Sequence, residues 1–437
     1  MLLPTPVISA GPMRCGIVRS AGFGWCDGLV ERLTAVGIGP DQSQGLVGAA
    51  PISSKHGNAA PAHLSAMVIR HSARNRALLY GCTALALCLV GNTGMAPAPG
   101  PFDYDTVEIA PNVYGFFEKR LNPIVSSNII AVIGRDAVLV FDTGHHPSIT
   151  RRIAGDIKRL TKKPVRYVVI SHWHDDHFAG NAEFSKAFPG VQIIAHEFTA
   201  RMIESRKDSF RGEPCRKDIE TSSKPLLDLL AAGKRADGTP ISDSTRHRLQ
   251  NFAEALDAQM PECDAMEYRG VDRPIDGSLT LDLGGRKVEL SFLGRGNTAG
   301  DLVAYLPDSK TVLTGDLVVF PFPFATEPYV TEWAAVMRRI EAMDVTRIVP
   351  GHGPVMNDKQ YVRDVAEVLE SISSQAKAAY QPGMTADQLR AKVDLSQFSD
   401  QFAHGDAFIK ANFDAQMKGS AIDRMWQELT GQWKPEG

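Results

Sequence analysis

Short apolar runs that suit β-strands alternate with amphipathic stretches from residue 107 onward, and this rhythm restricts the fold more than any other feature. Runs rich in Val, Ile and Phe predict strands at 113–117, 127–133, 137–142, 166–171 and 191–195. Helical spacing predicts helices at 148–160 and 179–188. A second set of strands follows at 279–283, 287–293, 302–306 and 311–314, with helices at 330–343 and 358–379. Two β-rich halves covered by helices indicate a layered α/β fold.

Two segments depart from this rhythm. Residues 204–273 are polar and helix-prone around 225–232 and 243–260, which predicts a helical insertion within a domain spanning 107–380. Cys215 and Cys263 both fall in that insertion, as a disulfide or as two free thiols. Residues 381–437 carry short helical patterns at 386–393 and 421–429, which suit a helical tail that packs on the core or forms a dimer contact.

Metal-ligand side chains are concentrated in Ser-His-Trp-His-Asp-Asp-His at 171–177, directly after a predicted strand. Residues two apart on extended backbone point the same way, so His172 and His174 can converge on one metal. Asp176 and His177 can then reach a second metal. Imidazole and carboxylate ligands at this spacing suit zinc.

This His-x-His-x-Asp-His pattern resembles the metal motif of the metallo-β-lactamase superfamily. Three further elements resemble that family in order, namely Asp142-Thr-Gly, Thr-Gly-Asp316 and Pro-Gly-His352-Gly. The resemblance covers roughly residues 107–379 and implies a four-layer αββα sandwich with its metals at one edge between the sheets. It implies a first zinc on His172 and His174, a second on Asp176, His177 and His352, and a bridge by Asp316.

One position departs from the family pattern. The third ligand of the first zinc is usually a histidine, and the matching stretch at 294–301 places Asn297 there. A neutral amide oxygen is a harder and poorer zinc ligand, so the first site is expected to bind zinc weakly, prefer a harder divalent metal or recruit another group. His145, His146 and His196 are the candidates for that group, although each also suits a strand end or loop.

The resemblance implies hydrolysis by a metal-activated water, with Asp176 as the catalytic residue that orients the water and accepts its proton. Aspartate at position 316 resembles the thioesterase and lactonase branches, whereas true β-lactamases usually carry Cys or Ser there. The expected substrate is an ester, thioester, lactone or cyclic amide. Arg295, Phe322 and Trp173 are candidate substrate contacts, with ion pairing or core packing as the alternative for each.

An export signal is predicted at 67–98. Basic residues precede an apolar run at 77–90, and Ala-Pro-Ala at 96–98 offers a cleavage site. Met67 is then the start, residues 1–66 are not part of the mature protein, and the location is periplasmic or secreted. An N-terminal anchor or a cytoplasmic protein with a chance apolar helix is the alternative reading.

Net charge limits the kinds of partner that this protein is expected to bind. The formal net charge is −3 without a basic cluster, which disfavours nucleic acid and leaves a small-molecule substrate. We expect one or two zinc ions per chain and no stable membrane span after processing, while the oligomeric state stays open. The alternative function is a non-catalytic periplasmic metal-binding accessory protein whose first metal site is weakened by Asn297.

Overall fold

Two β-sheets form the centre of the molecule. The computed structural model describes residues 102–119, 126–234 and 238–433. The first sheet holds seven strands in sequential order, antiparallel from β1 to β4 and parallel from β4 to β7. These strands are β1 (Tyr104–Ala110), β2 (Val113–Glu118), β3 (Ile129–Ile133), β4 (Val138–Phe141), β5 (Val165–Val169), β6 (Gln192–His196) and β7 (Arg273–Ile275).

The second sheet has five strands in the order β12-β11-β10-β9-β8. Only β11 and β12 run parallel among its neighbouring strands. The strands are β8 (Ser278–Asp282), β9 (Lys287–Phe292), β10 (Leu302–Leu306), β11 (Thr311–Leu313) and β12 (Arg347–Val349).

Helices follow or connect the strands. Those before the second sheet are α1 (Pro147–Leu160), α2 (Asp175–Phe178), α3 (Asn181–Ala187), α4 (Glu197–Ser205), α5 (Gly212–Ala232) and α6 (Asp243–Ala265). Later come a 3₁₀ turn (Gly315–Leu317), α7 (Val330–Ala342), α8 (Gln360–Ala379), α9 (Ala386–Arg390), α10 (Ser396–Ala403), α11 (Ala407–Phe413), a π-helix (Asp414–Ala421) and α12 (Ile422–Thr430).

Alternate residues of the strands face different layers. Ile130 and Val132 of β3 lie in the core between the sheets, whereas Ile129 packs on the side of α1. In the second sheet, Leu302 faces that same inter-sheet core and Val303 packs with α7 and α8. This period-two burial of both faces requires helices outside each sheet. The predicted αββα sandwich is therefore confirmed.

Some element boundaries differ from the sequence prediction. The helix predicted at 225–232 extends from Gly212 to Ala232 and passes through Pro225. Proline normally destabilises a helix interior by about 3 kcal/mol, but the buried side chains of Cys215, Ile219 and Leu226 anchor this helix on both sides of it. The helix predicted at 179–188 is α3, which spans Asn181–Ala187, and the separate one-turn helix α2 (Asp175–Phe178) precedes it.

The segment 204–273 contains α5 and α6, which a disulfide between Cys215 and Cys263 joins. Glu262 of α6 accepts a hydrogen bond from the backbone N–H of Ser148 at 3.0 Å, so this pair of helices contacts the start of α1. The side chain of Glu262 thus lies next to the N-terminal turn of α1, where a negative charge is stabilising.

The C-terminal helices α9 to α12 pack on the outer face of the second sheet and its helices, through Leu389, Phe402, Phe413 and Met425. Across the described ranges, none of the helices is both long and apolar enough to cross a bilayer. The predicted signal sequence at 67–98 and the segment 1–66 lie outside the described residues.

Candidate metal centre

The ends of four strands meet at one edge of the sandwich. β4 and β5 run parallel in the first sheet, and β11 and β12 run parallel in the second, so each pair ends at the same edge. Leu302 donates its N–H to the carbonyl of Ser171 at 2.8 Å, and Asn128 donates to Gly351 at 2.7 Å. These bonds join loops of one sheet to loops of the other. The residues that follow the four strands are thereby brought together.

Six donor side chains converge there in two groups of three. In each group, one ligand atom per residue lies within 4.8 Å of the others; the groups are His172, His174 and Asp316, and then Asp176, His177 and His352. His172 Nε2 and His174 Nδ1 are 2.8 Å apart and face a common point. The structure thus brings together all the histidines and aspartates predicted as ligands.

Asp316 lies between the two groups. Its Oδ2 is 3.7 Å from His172 Nε2, while its Oδ1 is 3.3 Å from His177 Nε2 and 3.5 Å from His352 Nε2. One carboxylate thus presents one oxygen to each group. This is the geometry that a bridging ligand requires.

The local backbone explains how one short motif serves both groups. His174 has φ −68° and ψ 142°, an extended conformation, and the chain then turns into α2 at Asp175. His172 and His174 therefore lie before the turn, and Asp176 and His177 lie on the helix. The extended-strand argument applies to the first pair, whereas a helical turn directs the second pair.

A buried hydrogen-bond network orients the histidine rings. Asp142 accepts from the Ser171 N–H at 2.7 Å and from its hydroxyl at 2.9 Å, and His177 Nδ1 lies 2.8 Å from the same carboxylate. A carboxylate only accepts, so His177 carries a proton on Nδ1, and a metal bound at Nε2 would replace any second proton of the ring. Ser171 gives its only proton to Asp142 and so accepts from His172 Nδ1 at 3.0 Å. His172 Nε2 is therefore also available.

The electrostatics favour cations. Burial lowers the pKa of His174 to about 4 and that of His172 well below its usual range, so both rings are neutral. Burial also opposes charge on His177, but Asp176, Asp316 and Asp142 outweigh it and raise its pKa well above the usual value. The pKa of the Asp176 carboxyl lies well below its usual value, because the histidines overcome its burial. The site holds ionised carboxylates that attract positive charge.

Asn297 is fully buried, and neither amide atom has a hydrogen-bond partner among the residues that the structure describes. The loop around it is nevertheless well anchored. Thr298 donates its N–H and its hydroxyl to Asp301 at 2.8 and 2.9 Å, and Gly296 accepts from the Tyr329 N–H at 2.9 Å. Burying an amide without hydrogen bonds costs about 1–3 kcal/mol, and a cation bound by Oδ1 would offset this cost.

The substitute histidines have other surroundings. His145 contacts the Gln259 amide at 3.3 Å, and His146 stacks on Phe102 with ring centroids 4.0 Å apart. His196 accepts from the Phe198 N–H at 3.1 Å and so caps α4. None of the three belongs to either donor group among the described residues.

The three predicted substrate contacts occupy structural positions. Arg295 forms a bidentate ion pair with Glu332. Phe322 is buried among the side chains that cover the second sheet, and Trp173 is buried in the core of the first. These placements match the structural alternatives for each residue, and their contact with substrate stays a prediction.

One supporting feature had no signal in the sequence. Arg206 donates Nε and Nη2 to the two oxygens of Asp175 at 2.9 and 2.7 Å, and its guanidinium lies over the Trp173 ring at 5.4 Å. Asp175 stands between two ligands. The pair therefore holds the metal loop against the end of α4, across 31 residues of sequence.

The fold and the two adjacent donor groups define a site that could hold metal ions at two neighbouring positions. The family model of the metallo-β-lactamase superfamily matches residues 123–352, which is more than half of the chain. The chain belongs to this superfamily, whose members are mostly hydrolytic metalloenzymes.

Individual relatives are distant. A linear primary-alkylsulfatase from Pseudomonas sp. (strain ATCC 19151) is 22% identical, over 60% of this chain and 48% of its own length. The 2,4-dinitroanisole O-demethylase subunit alpha of Nocardioides sp. (strain JS1661) is 22% identical, over 62% of this chain and 63% of its own. The chain thus spans less than two thirds of either relative. A metallo-β-lactamase structure from Pontibacter korlensis is 21% identical, with TM-score 0.43, covering 61% of this chain and 99% of that one.

Proposed function

We propose that the protein is an exported hydrolase that uses a zinc centre of one or two ions to cleave an ester-type bond. The observation that carries this proposal is the position of Asp316, whose two oxygens face the two donor groups. Burying a carboxylate among imidazoles costs desolvation energy, and apolar side chains would stabilise the fold there without that cost. The buried Asp316 is therefore better explained by metal binding than by fold stability.

The residues present fit the metal. His177 Nε2 and Asp316 Oδ1 lie 3.3 Å apart, are buried, and form no hydrogen bond that meets normal geometry within the described part of the chain, as expected of atoms that face a cation. The donors are imidazole and carboxylate, the set that suits zinc. Zinc bound there would lower the pKa of water and polarise the bond to be cleaved.

The protein's own contribution is orientation and proton transfer. Asp176 is ionised at neutral pH, its Oδ2 lies 3.0 Å from His352 Nε2, and its side chain stays 21% exposed. It can hold the attacking water and accept its proton. Asp142 fixes the ring of His177, so the second group is rigid before substrate arrives.

Asn297 makes the two positions unequal. Histidine and aspartate supply the second group in full, whereas the first has only His172, His174 and the shared Asp316 unless Asn297 adds its amide oxygen. We therefore expect the second position to fill first. Metal content below two per chain, or a mixed pair, would follow from this asymmetry.

The expected substrate is a small molecule with an ester-type bond. The relatives' names describe attack on an alkyl sulfate ester and on an aryl methyl ether, both at a bond to a singly bonded oxygen. Carboxylic esters and lactones also have a polarised bond to a singly bonded oxygen, whereas thioesters and cyclic amides share with them the carbonyl that a nucleophile attacks. A useful panel therefore contains an aryl ester, a lactone, a thioester, an alkyl sulfate, an aryl methyl ether and a β-lactam.

Export is supported by the disulfide between Cys215 and Cys263, because such cross-links persist in oxidising compartments. Mass spectrometry of the protein isolated from a periplasmic fraction would give the mature N-terminus. A start near residue 97 or 99 is expected, and a cytoplasmic chain that retains residues 67–98 would contradict export.

The decisive experiment measures metal content and turnover on one panel for the wild type, Asn297→His and Asn297→Leu. Asn297→His should fill both positions with zinc. Asn297→Leu keeps the volume without a donor and should weaken the first position by more than about tenfold, since even outer partners of a metal contribute ten- to a hundredfold. Metal-dependent turnover by the wild type supports the enzyme. Metal binding without turnover, with activity gained in Asn297→His, would favour the accessory protein instead.

A further inference from the structure

Residues 318–329, hereafter the aromatic loop, begin beside His352 of the second donor group and end beside the loop that carries Asn297. At its start, Phe320 donates its N–H to the carbonyl of His352 at 3.1 Å. At its end, Tyr329 donates to the carbonyl of Gly296, the residue before Asn297, at 2.9 Å. Phe320 stays partly exposed next to His352. The loop is therefore placed to form one wall of the substrate site.

The middle of the aromatic loop is hydrogen-bonded to the C-terminal helices. Gln416 accepts the N–H of Ala325 at 3.0 Å through its side-chain oxygen. Arg424 donates Nε to the carbonyl of Pro328 and Nη2 to that of Glu327, each at 3.3 Å. Both side chains lie beyond residue 352, where the family match ends.

Gln416 reaches this bond from an unusual helix. It lies in the π-helix Asp414–Ala421, and its side chain is nine-tenths buried. A π-helical turn places an additional residue in the turn and redirects the side chains, and such turns are frequent at functional sites. Ala325 is itself fully buried, so its N–H depends on Gln416 as a partner.

We propose that Gln416 is a positioning residue, and that the C-terminal helices determine substrate selectivity by holding the aromatic loop beside the metal centre. The selectivity part rests on the proposed hydrolase function. The superfamily core supplies the ligands, and the tail supplies the shape of one wall of the site.

The test compares full-length, metal-loaded wild type with Gln416→Met, Gln416→Glu and Asn412→Leu. Gln416→Met keeps the length of the side chain and removes the acceptor, whereas Gln416→Glu retains an acceptor oxygen. Asn412 is a matched control because it is also a buried amide of the tail, but it donates to Phe408 in its own helix at 2.8 Å. Hydrogen exchange of peptides from 318–329, metal content and kcat/KM for short- and long-chain aryl esters are measured.

In Gln416→Met, we expect the Ala325 amide to exchange about tenfold faster, with metal content unchanged. The ratio of kcat/KM between long and short esters should change by about tenfold, while Gln416→Glu and Asn412→Leu leave that ratio near the wild-type value. Unchanged exchange in Gln416→Met, or equal loosening in Asn412→Leu, would overturn the positioning role. An unchanged ester ratio beside faster exchange would overturn the selectivity role. If the wild type turns over nothing, the proposed function fails, and the exchange experiment still decides the positioning role.

Discussion

The buried ion pair between Arg206 and Asp175 gives the sharpest stability test. The side chains are only 9% and 7% exposed, and two hydrogen bonds of 2.9 and 2.7 Å join them. Removing one partner of such a pair strands the other charge in the interior, at about 3–5 kcal/mol. The contact of Arg206 with Trp173 adds about 1 kcal/mol. Arg206→Met is therefore expected to lower the free energy of unfolding by about 4 kcal/mol.

The assay is urea unfolding followed by tryptophan fluorescence, with chelator present so that metal binding does not contribute. The double variant Arg206→Met/Asp175→Asn should lose only about 1–2 kcal/mol, because neither charge is then left alone. The coupling energy between the two sites should be at least about 2 kcal/mol.

Arg295→Met is the matched control, since Arg295 pairs with Glu332 in the same bidentate manner but with 35% and 46% of the side chains exposed. It should lower stability by less than about 1 kcal/mol. The reasoning is refuted if Arg206→Met resembles this control, or if the effects of the two single substitutions at 206 and 175 simply add.

Three further predictions concern other parts of the molecule. Replacing Cys215 and Cys263 by Ala removes a cross-link over 48 residues and should lower the free energy of unfolding by about 3–4 kcal/mol; an unchanged melting temperature would contradict this. Burial, with a smaller effect of Asp316, raises the pKa of Asp301 from 3.8 to about 7. The folded state therefore binds more protons than the unfolded state, and the stability that this group contributes is lost as the pH rises from about 4 to about 7. The loss is at most about 4 kcal/mol. Asp301→Asn should flatten this part of the plot of stability against pH, and an unchanged plot would show that Asp301 is not responsible. Asp142→Asn replaces one accepting oxygen by an N–H donor, so the side chain can no longer accept from both Ser171 and His177. It should weaken zinc binding about 10- to 100-fold, measured by competition with a chelating dye, whereas wild-type affinity would exclude an orienting role.

Much of the fold could be predicted because its signals are local. The strands β2 to β6 and β8 to β11 were each placed by runs of apolar residues, and the four layers follow from two β-rich halves that need covering on both faces. Strands β1, β7 and β12 are not among the predicted strands. β7 and β12 have three residues each, too few to show a period, and most residues of β1 are exposed. The helical stretch predicted at 225–232 covers only the last part of α5, because this helix continues through Pro225 and is held by burial on both sides of it, which is a tertiary effect.

The candidate site also contains features that could be predicted from the sequence and features that could not. The donors on 172–177 could be read directly because metal ligation depends on side-chain identity and close spacing. The ion pair of Arg295 could not be predicted from the sequence, because its partner Glu332 lies 37 residues away on α7. The support that Gln416 gives to Ala325 joins residues 91 positions apart.

The sequence by itself determined the layered α/β class, the superfamily and the set of candidate metal-binding side chains, because periodic burial and metal chemistry depend on residue types at short separations. Only the tertiary structure decided that Asp316 lies between the two donor groups, that Asn297 is buried without a partner among the described residues, and that the tail holds the aromatic loop. Those facts depend on the packing of segments far apart in the chain, where neither propensity nor spacing carries information.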